Sequence, residues 1–243
     1  MQSTSQIQNL QGERLDFAFH GSTKLDTLVI LGHGLTGNKD RPLLVAVAEG
    51  LAAKGWPCLR ISFSGNGDSE GKFGESTITK EIGDLCAVLS TVPQELRIAY
   101  IGHSMGAAVG VLTASRRMDI QALVSLAGMT HTAEFVEREF GGVEPVNGYM
   151  WDDEDCPLST AYVEDLKSIG DTLEAASQIN QPWLLIHGTA DDVIPLKDSR
   201  DAFEAANYRK ELLEIPDAGH VFDEGNYARI VDAVDDFLSK CLG

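Results

Sequence analysis

The amino-acid sequence predicts an α/β fold, a mostly parallel central sheet with helices on both faces. Two observations predict it. Short β-rich runs alternate with helical patterns along most of the chain, the arrangement that βαβ units require. Several of those runs are continuously apolar rather than alternating, which marks strands covered on both faces. The rhythm breaks once, over residues 130–179, and then resumes. That break predicts an insertion into the sheet rather than a second fold.

Taken in order, residues 15–19 alternate like a half-buried strand, and residues 27–31 form an apolar run. Residues 42–54 have helical periodicity, with Leu43, Leu44, Val47, Ala48 and Leu51 on one face. Residues 58–63 are the next strand, and residues 79–89 a helix with Ile82, Leu85, Cys86 and Leu89 on one stripe. A strand at 97–101, a helix at 107–115 and a strand at 122–126 follow. The interruption at 130–179 is rich in Asp and Glu, interspersed with Phe135, Phe140, Tyr149, Trp151 and Tyr162, and has no clear strand. After it come a strand at 183–186, a helix at 199–206, a strand at 211–215 and a helix at 227–241.

The chain has 243 residues, which suits one domain spanning 1–243 with the insertion inside it. Lys and Arg total 19 against 37 Asp and Glu, a net charge of −18. Such a surface repels phosphate backbones and anionic lipid heads, so nucleic acid is not an expected partner. The four cysteines, Cys58, Cys86, Cys156 and Cys241, are scattered without metal-ligand spacing and read as reduced thiols. The first fifteen residues have neither a basic nor an apolar signal region, and no apolar run is long enough to span a membrane. The expected location is cytoplasmic. Residues 152–155 lack the spaced oxygens and central Gly of a calcium loop, and no phosphate-binding G-x-x-x-x-G-K-[ST] loop occurs. No metal and no cofactor are expected. A homodimer is the base-rate expectation for assembly.

In open parallel sheets ligands bind beyond the carboxyl ends of the strands, so residues just after strands are the candidates for chemistry. The strongest is Ser104, in Gly102-His103-Ser104-Met105-Gly106, a G-x-S-x-G between the strand at 97–101 and the helix after it. A serine hydroxyl is a poor nucleophile unless exposed and paired with a base. A sharp strand-to-helix turn lifts it above the sheet edge, and flanking glycines avoid the clashes. Of the six histidines, His220 lies in a loop between the last strand and the last helix, at the same sheet edge, and is the candidate base. His33 and His187 each follow a strand and precede a Gly, and read as structural imidazoles; the His103 side chain, beside the nucleophile, points away from it. An acid must orient the base. Asp191 and Asp192 both follow the strand at 183–186, and the order Ser, Asp, His fits either. Two backbone N–H groups must hold the developing oxyanion. Met105, next after the nucleophile, supplies one, and Leu35, in the glycine-rich loop after the strand at 27–31, the other.

These segments resemble the α/β-hydrolase superfamily along nearly the whole chain. The matching motifs are HGLTGNKD from His33, Ser64-Gly65-Asn66-Gly67-Asp68-Ser69-Glu70-Gly71, GHSMG, HGTADDVIP from His187 and the late Ala218-Gly219-His220. The segment from Ser64 is similar to a turn written R-G-x-G-x-S in relatives, with Ser64 in place of the Arg. The combination is most similar to small carboxylesterases of the cinnamoyl/feruloyl esterase type and monoglyceride lipase-like hydrolases. The resemblance implies that Asp191, fifth in its motif, is the acid, and that residues 130–179 form a cap over the site.

The expected activity is hydrolysis of a small carboxylic ester, short-chain acyl or hydroxycinnamoyl, through an acyl-serine. A thioesterase would want basic residues for its substrate's phosphates, which −18 disfavours. A peptidase would need a site for an amine, for which residues 152–155 are a candidate, although acidic runs are usually solvated faces. A non-catalytic binding protein on the same scaffold is the competing class.

Overall fold

The computed structural model describes residues 6–243. The elements, in chain order, are β1 (Ile7–Gln8), β2 (Arg14–Leu15), β3 (Phe17–His20), β4 (Thr27–Gly32), α1 (Pro42–Ala53), β5 (Cys58–Ile61), α2 (Ile78–Thr91), β6 (Arg97–His103), α3 (Met105–Ala114), β7 (Ile120–Leu126), α4 (Thr132–Phe140), α5 (Thr160–Ile169), α6 (Leu173–Gln178), β8 (Trp183–Gly188), α7 (Leu196–Ala205), β9 (Lys210–Ile215) and α8 (Glu224–Leu242). Strands β3 to β9 form one sheet in the order β3-β5-β4-β6-β7-β8-β9. Only β3 runs antiparallel to its neighbour, β5; the other pairs are parallel. The predicted strand at 15–19 divides between β3 and the small β1–β2 pair.

Period-two alternation sends successive side chains to opposite faces. Leu28 and Ile30 of β4, with Ile98 and Tyr100 of β6, enter a core shared with α2, α3, α6 and α7. Val29 and Leu31, with Ala99 and Ile101, enter the core against α1 and α8. Val29, Ile30 and Leu31 are fully buried, so truncating Ile30 or Leu31 to Ala would cost roughly 2–5 kcal/mol.

Local chemistry sets the helix boundaries. Pro42 opens α1, where its missing N–H costs nothing. The Thr77 hydroxyl accepts from Lys80 N at the start of α2, and Asp223 accepts from Gly225 N at the start of α8; each cap contributes about 1 kcal/mol. All ten residues of α3 are buried. Its small residues let it approach the sheet: a Cβ on Gly110 would meet the ring of Tyr100.

The interruption at 130–179 contains α4, α5 and α6 and no strand, only an isolated bridge between Tyr149 and Pro157. Its last helix, α6, packs on α3 and α7, as a sheet-covering crossover would. Helices α4 and α5 pack on each other above. Among the described residues no helix is long and apolar enough to cross a membrane, and all four cysteines are free thiols.

Candidate active site

The strand-to-helix turn at Ser104 is tighter than its sequence suggested. β6 runs to His103 and α3 begins at Met105, so Ser104 alone makes the corner. Its backbone is left-handed, with φ 54° and ψ −118°, a conformation that persists only where the surroundings enforce it. They do so through hydrogen bonds: Ser104 N–H donates to the Leu126 carbonyl, and the Ser104 carbonyl accepts from Ala107 and Met129. A Cβ on Gly106 would collide with the His33 carbonyl. The glycines therefore let two loops touch, the turn bearing Met105 and the loop bearing Leu35.

That second loop is shaped by His33. The Phe63 N–H donates to His33 Nε2 at 3.0 Å, which leaves Nδ1 to carry the proton and donate to the Gly34 carbonyl at 2.8 Å. Burial pushes the His33 pKa down to about 4, so the ring stays neutral. Gly37 N–H closes the turn onto the Gly34 carbonyl. Leu35 N–H donates to no backbone or side-chain acceptor among the described residues, which leaves it available to a ligand.

The loops bearing Asp191 and His220 are bonded together beyond β8 and β9. Ala190 N–H donates to the Ala218 carbonyl, and Asp217 N–H to the Thr189 hydroxyl. It is the Asp191 carboxylate that meets His220, 2.9 Å from Nδ1; Asp192 is exposed. The pairing puts the proton on Nδ1 and leaves Nε2 as the basic lone pair. The other oxygen, Oδ1, accepts from Val193 and Ile194 N–H at 2.9 and 2.8 Å. Burial alone would raise the Asp191 pKa, but hydrogen bonds from His187 and His220 outweigh it and hold the carboxyl well below the usual range. Ser104 is only 4% exposed, and among the described residues no hydrogen bond joins its hydroxyl to His220. Such bonds are commonly long before substrate binds.

Three contacts lay outside the sequence reading. His187 is buried with Nε2 2.9 Å from the Ile194 carbonyl and 3.2 Å from Asp191 Oδ2, so it is a second partner of the acid. Arg138 of α4 donates to the Val193 carbonyl at 2.6 Å, tying residues 130–179 to the acid loop. His103 turns its ring toward the His220 main chain. The only advance signal was the position of His187, four residues before Asp191. Among the described residues no group of three or more His, Cys, Asp or Glu is placed to hold a metal ion.

Residues 23–146 match the family described as "Serine aminopeptidase, S33". The chain is 29% identical over 224 residues to an uncharacterized protein of Mycobacterium tuberculosis, covering 91% of this chain and 73% of that one. It is 26% identical over 215 residues to a putative esterase/lipase of Mycoplasma genitalium, covering 77% and 80%. Among solved structures it is similar to Est1E from Butyrivibrio proteoclasticus, determined with ferulic acid bound. The TM-score is 0.83, with 24% identity over 98% of this chain and 99% of that one. With its sheet order, its strand-to-helix serine corner and this family match, the chain belongs to the serine aminopeptidase S33 family of α/β-hydrolases.

Proposed function

We propose that this chain is a serine hydrolase of carboxylic esters, with Ser104 as nucleophile, His220 as base and Asp191 as the acid that orients it. The observation that carries the reading is the buried Asp191 carboxylate on Nδ1 of His220, at the edge of the sheet where Ser104 makes its corner. In this reading His220 Nε2 takes the Ser104 proton as Oγ attacks the ester carbonyl. The oxyanion is held by the N–H groups of Leu35 and Met105. Collapse of the intermediate returns the proton to the leaving alcohol, and water then attacks the acyl-serine by the same route. Asp191 stays ionised throughout and stabilises the imidazolium.

Within residues 130–179, α4 and α5 act as a cap, while α6 belongs to the layer that covers the sheet. In support, Arg138 of α4 donates to the carbonyl of Val193, two residues after Asp191. The names of two similar proteins, an esterase/lipase and a ferulate-binding Est1E, favour short-chain acyl or hydroxycinnamoyl esters. The family description favours a second reading, release of N-terminal amino acids, with the exposed run at 152–155 meeting the amine.

Intact mass after exposure to a fluorophosphonate tests the chemistry: one adduct on the wild type and none on Ser104→Ala is the expected result. An unlabelled, well-folded wild type would refute it. A panel of short-chain, monoacylglycerol and hydroxycinnamoyl esters beside aminoacyl arylamides then separates the two readings.

A further inference from the structure

The ring of His103 is engaged away from the nucleophile it precedes. Its Nε2 lies 3.0 Å from the main-chain carbonyl oxygen of His220, and the two imidazoles stand 4.9 Å apart at an angle of 41°. A carbonyl only accepts, so Nε2 carries the proton. The Nδ1 edge faces Gly34: a Cβ there would lie 3.4 Å from Nδ1 and 3.2 Å from the His103 carbonyl. One side chain thus bonds to the loop bearing the base and turns its other edge toward Gly34 in the loop bearing Leu35, while its own backbone leads into Ser104. The base loop needs such a hold, because left-handed residues bracket it, Asp217 at φ 59° and Phe222 at φ 48°.

We propose that His103 is a positioning residue for the base: its Nε2–H anchors the His220 carbonyl and so holds the imidazole on Asp191 and beside the nucleophile turn. The inference rests on the hydrolase reading above. The titratable groups that face His103 are His220 and Asp191 across the site and His33 from the neighbouring loop. Burial first, then the proximity of His220, push the His103 pKa down to about 3. His103 therefore stays uncharged while the base cycles, and the imidazolium formed on His220 has no second cation beside it.

The test compares fluorophosphonate labelling and ester turnover of the wild type, His103→Leu and His103→Gln. Leu fills the space of the ring without a donor, whereas Gln offers an N–H where Nε2 stood. In His103→Leu the labelling rate and kcat are expected to fall about 10- to 100-fold, with KM moving less than about threefold. His103→Gln should recover to within about fivefold of wild type. The acid limb of the wild-type pH profile should have a one-proton slope, since His103 does not titrate with the base. Wild-type labelling of His103→Leu, a folded but unrecovered His103→Gln, or a two-proton limb would each overturn the proposal. If His103→Leu fails to fold, as a melting curve would report, His103→Gln and the slope decide. A wild type that takes no label overturns the hydrolase reading and this inference with it. A labelled wild type with an equally labelled His103→Leu overturns this inference alone.

Discussion

Oδ2 of Asp191 lies 2.9 Å from Nδ1 of His220. The same oxygen is 3.2 Å from Nε2 of His187, and Oδ1 accepts two backbone N–H groups. Three donors and a close second imidazole therefore converge on a side chain with no solvent exposure, an arrangement that suits a carboxylate. An amide there turns its NH2 toward a donor whichever way it flips. For Asp191→Asn we expect kcat to fall about 10³- to 10⁴-fold, as for other triad carboxylates, while exposed Asp192→Asn keeps wild-type kinetics. Steady-state kinetics on both variants checks this; the reverse pattern would reassign the acid.

The approach of Gly34 to the nucleophile is a second point of control. A Cβ on Gly34 would stand 2.8 Å from Ser104 Cβ, so Gly34→Ala must displace the loop bearing Leu35. Misplacing one oxyanion donor costs about 10²- to 10³-fold in kcat, and a loss at the lower end of that range is expected. An unchanged kcat would mean that Leu35 N–H has no part in the reaction.

Arg138 reaches the acid loop through a charge-assisted bond to the Val193 carbonyl, and its guanidinium stands 5.6 Å from the Phe135 ring. Its side chain is 38% exposed, so its loss should cost less than about 1 kcal/mol of stability. Its effect on Asp191 is more direct, because Val193 donates to that carboxylate through its own N–H. Arg138→Ala should lower kcat about three- to tenfold with an almost unchanged melting temperature. A change in stability without one in kcat would make Arg138 a structural tie only.

Glu81 of α2 is buried, with Oε1 3.3 Å from the Ser76 hydroxyl and Oε2 without a partner among the described residues. Burial first, then the negative charge of Asp84, raise its pKa well above the ordinary 4.5. It folds as the neutral acid. Between the ordinary value and the raised one the unfolded chain releases a proton that the folded chain keeps, so stability is full below that window and is lost as pH rises through it. Glu81→Gln removes the loss. Its melting temperature relative to wild type should climb as the pH rises above the ordinary 4.5; parallel curves would contradict the assignment.

The serine corner was legible because five contiguous residues, from the end of β6 to the start of α3, carry it. That the loop after β8 would meet His220 was legible because a parallel sheet gathers its post-strand loops at one edge; Asp191 rather than Asp192 was what the family resemblance implied. The supporting contacts were not legible. His103 and the His220 carbonyl are 117 positions apart, and Arg138 and Val193 are 55 apart; periodicity says which way a side chain faces, not what it meets. The interruption at 130–179 was only partly opaque. Thr132, Phe135, Val136 and Phe140 are buried at helical spacing along α4, a stripe masked by the acidic residues among them. The α5 boundary was also written locally, in the Ser159 cap and the left-handed Gly170.

The base of the proposed triad hangs from β9, which pairs only with β8 and ends the sheet, while the nucleophile follows β6 in the middle. Peripheral strands open at lower free energy than central ones. The activity proposed for this triad should therefore be the most fragile property of the molecule: on heating, turnover should vanish reversibly while circular dichroism still reports an intact sheet.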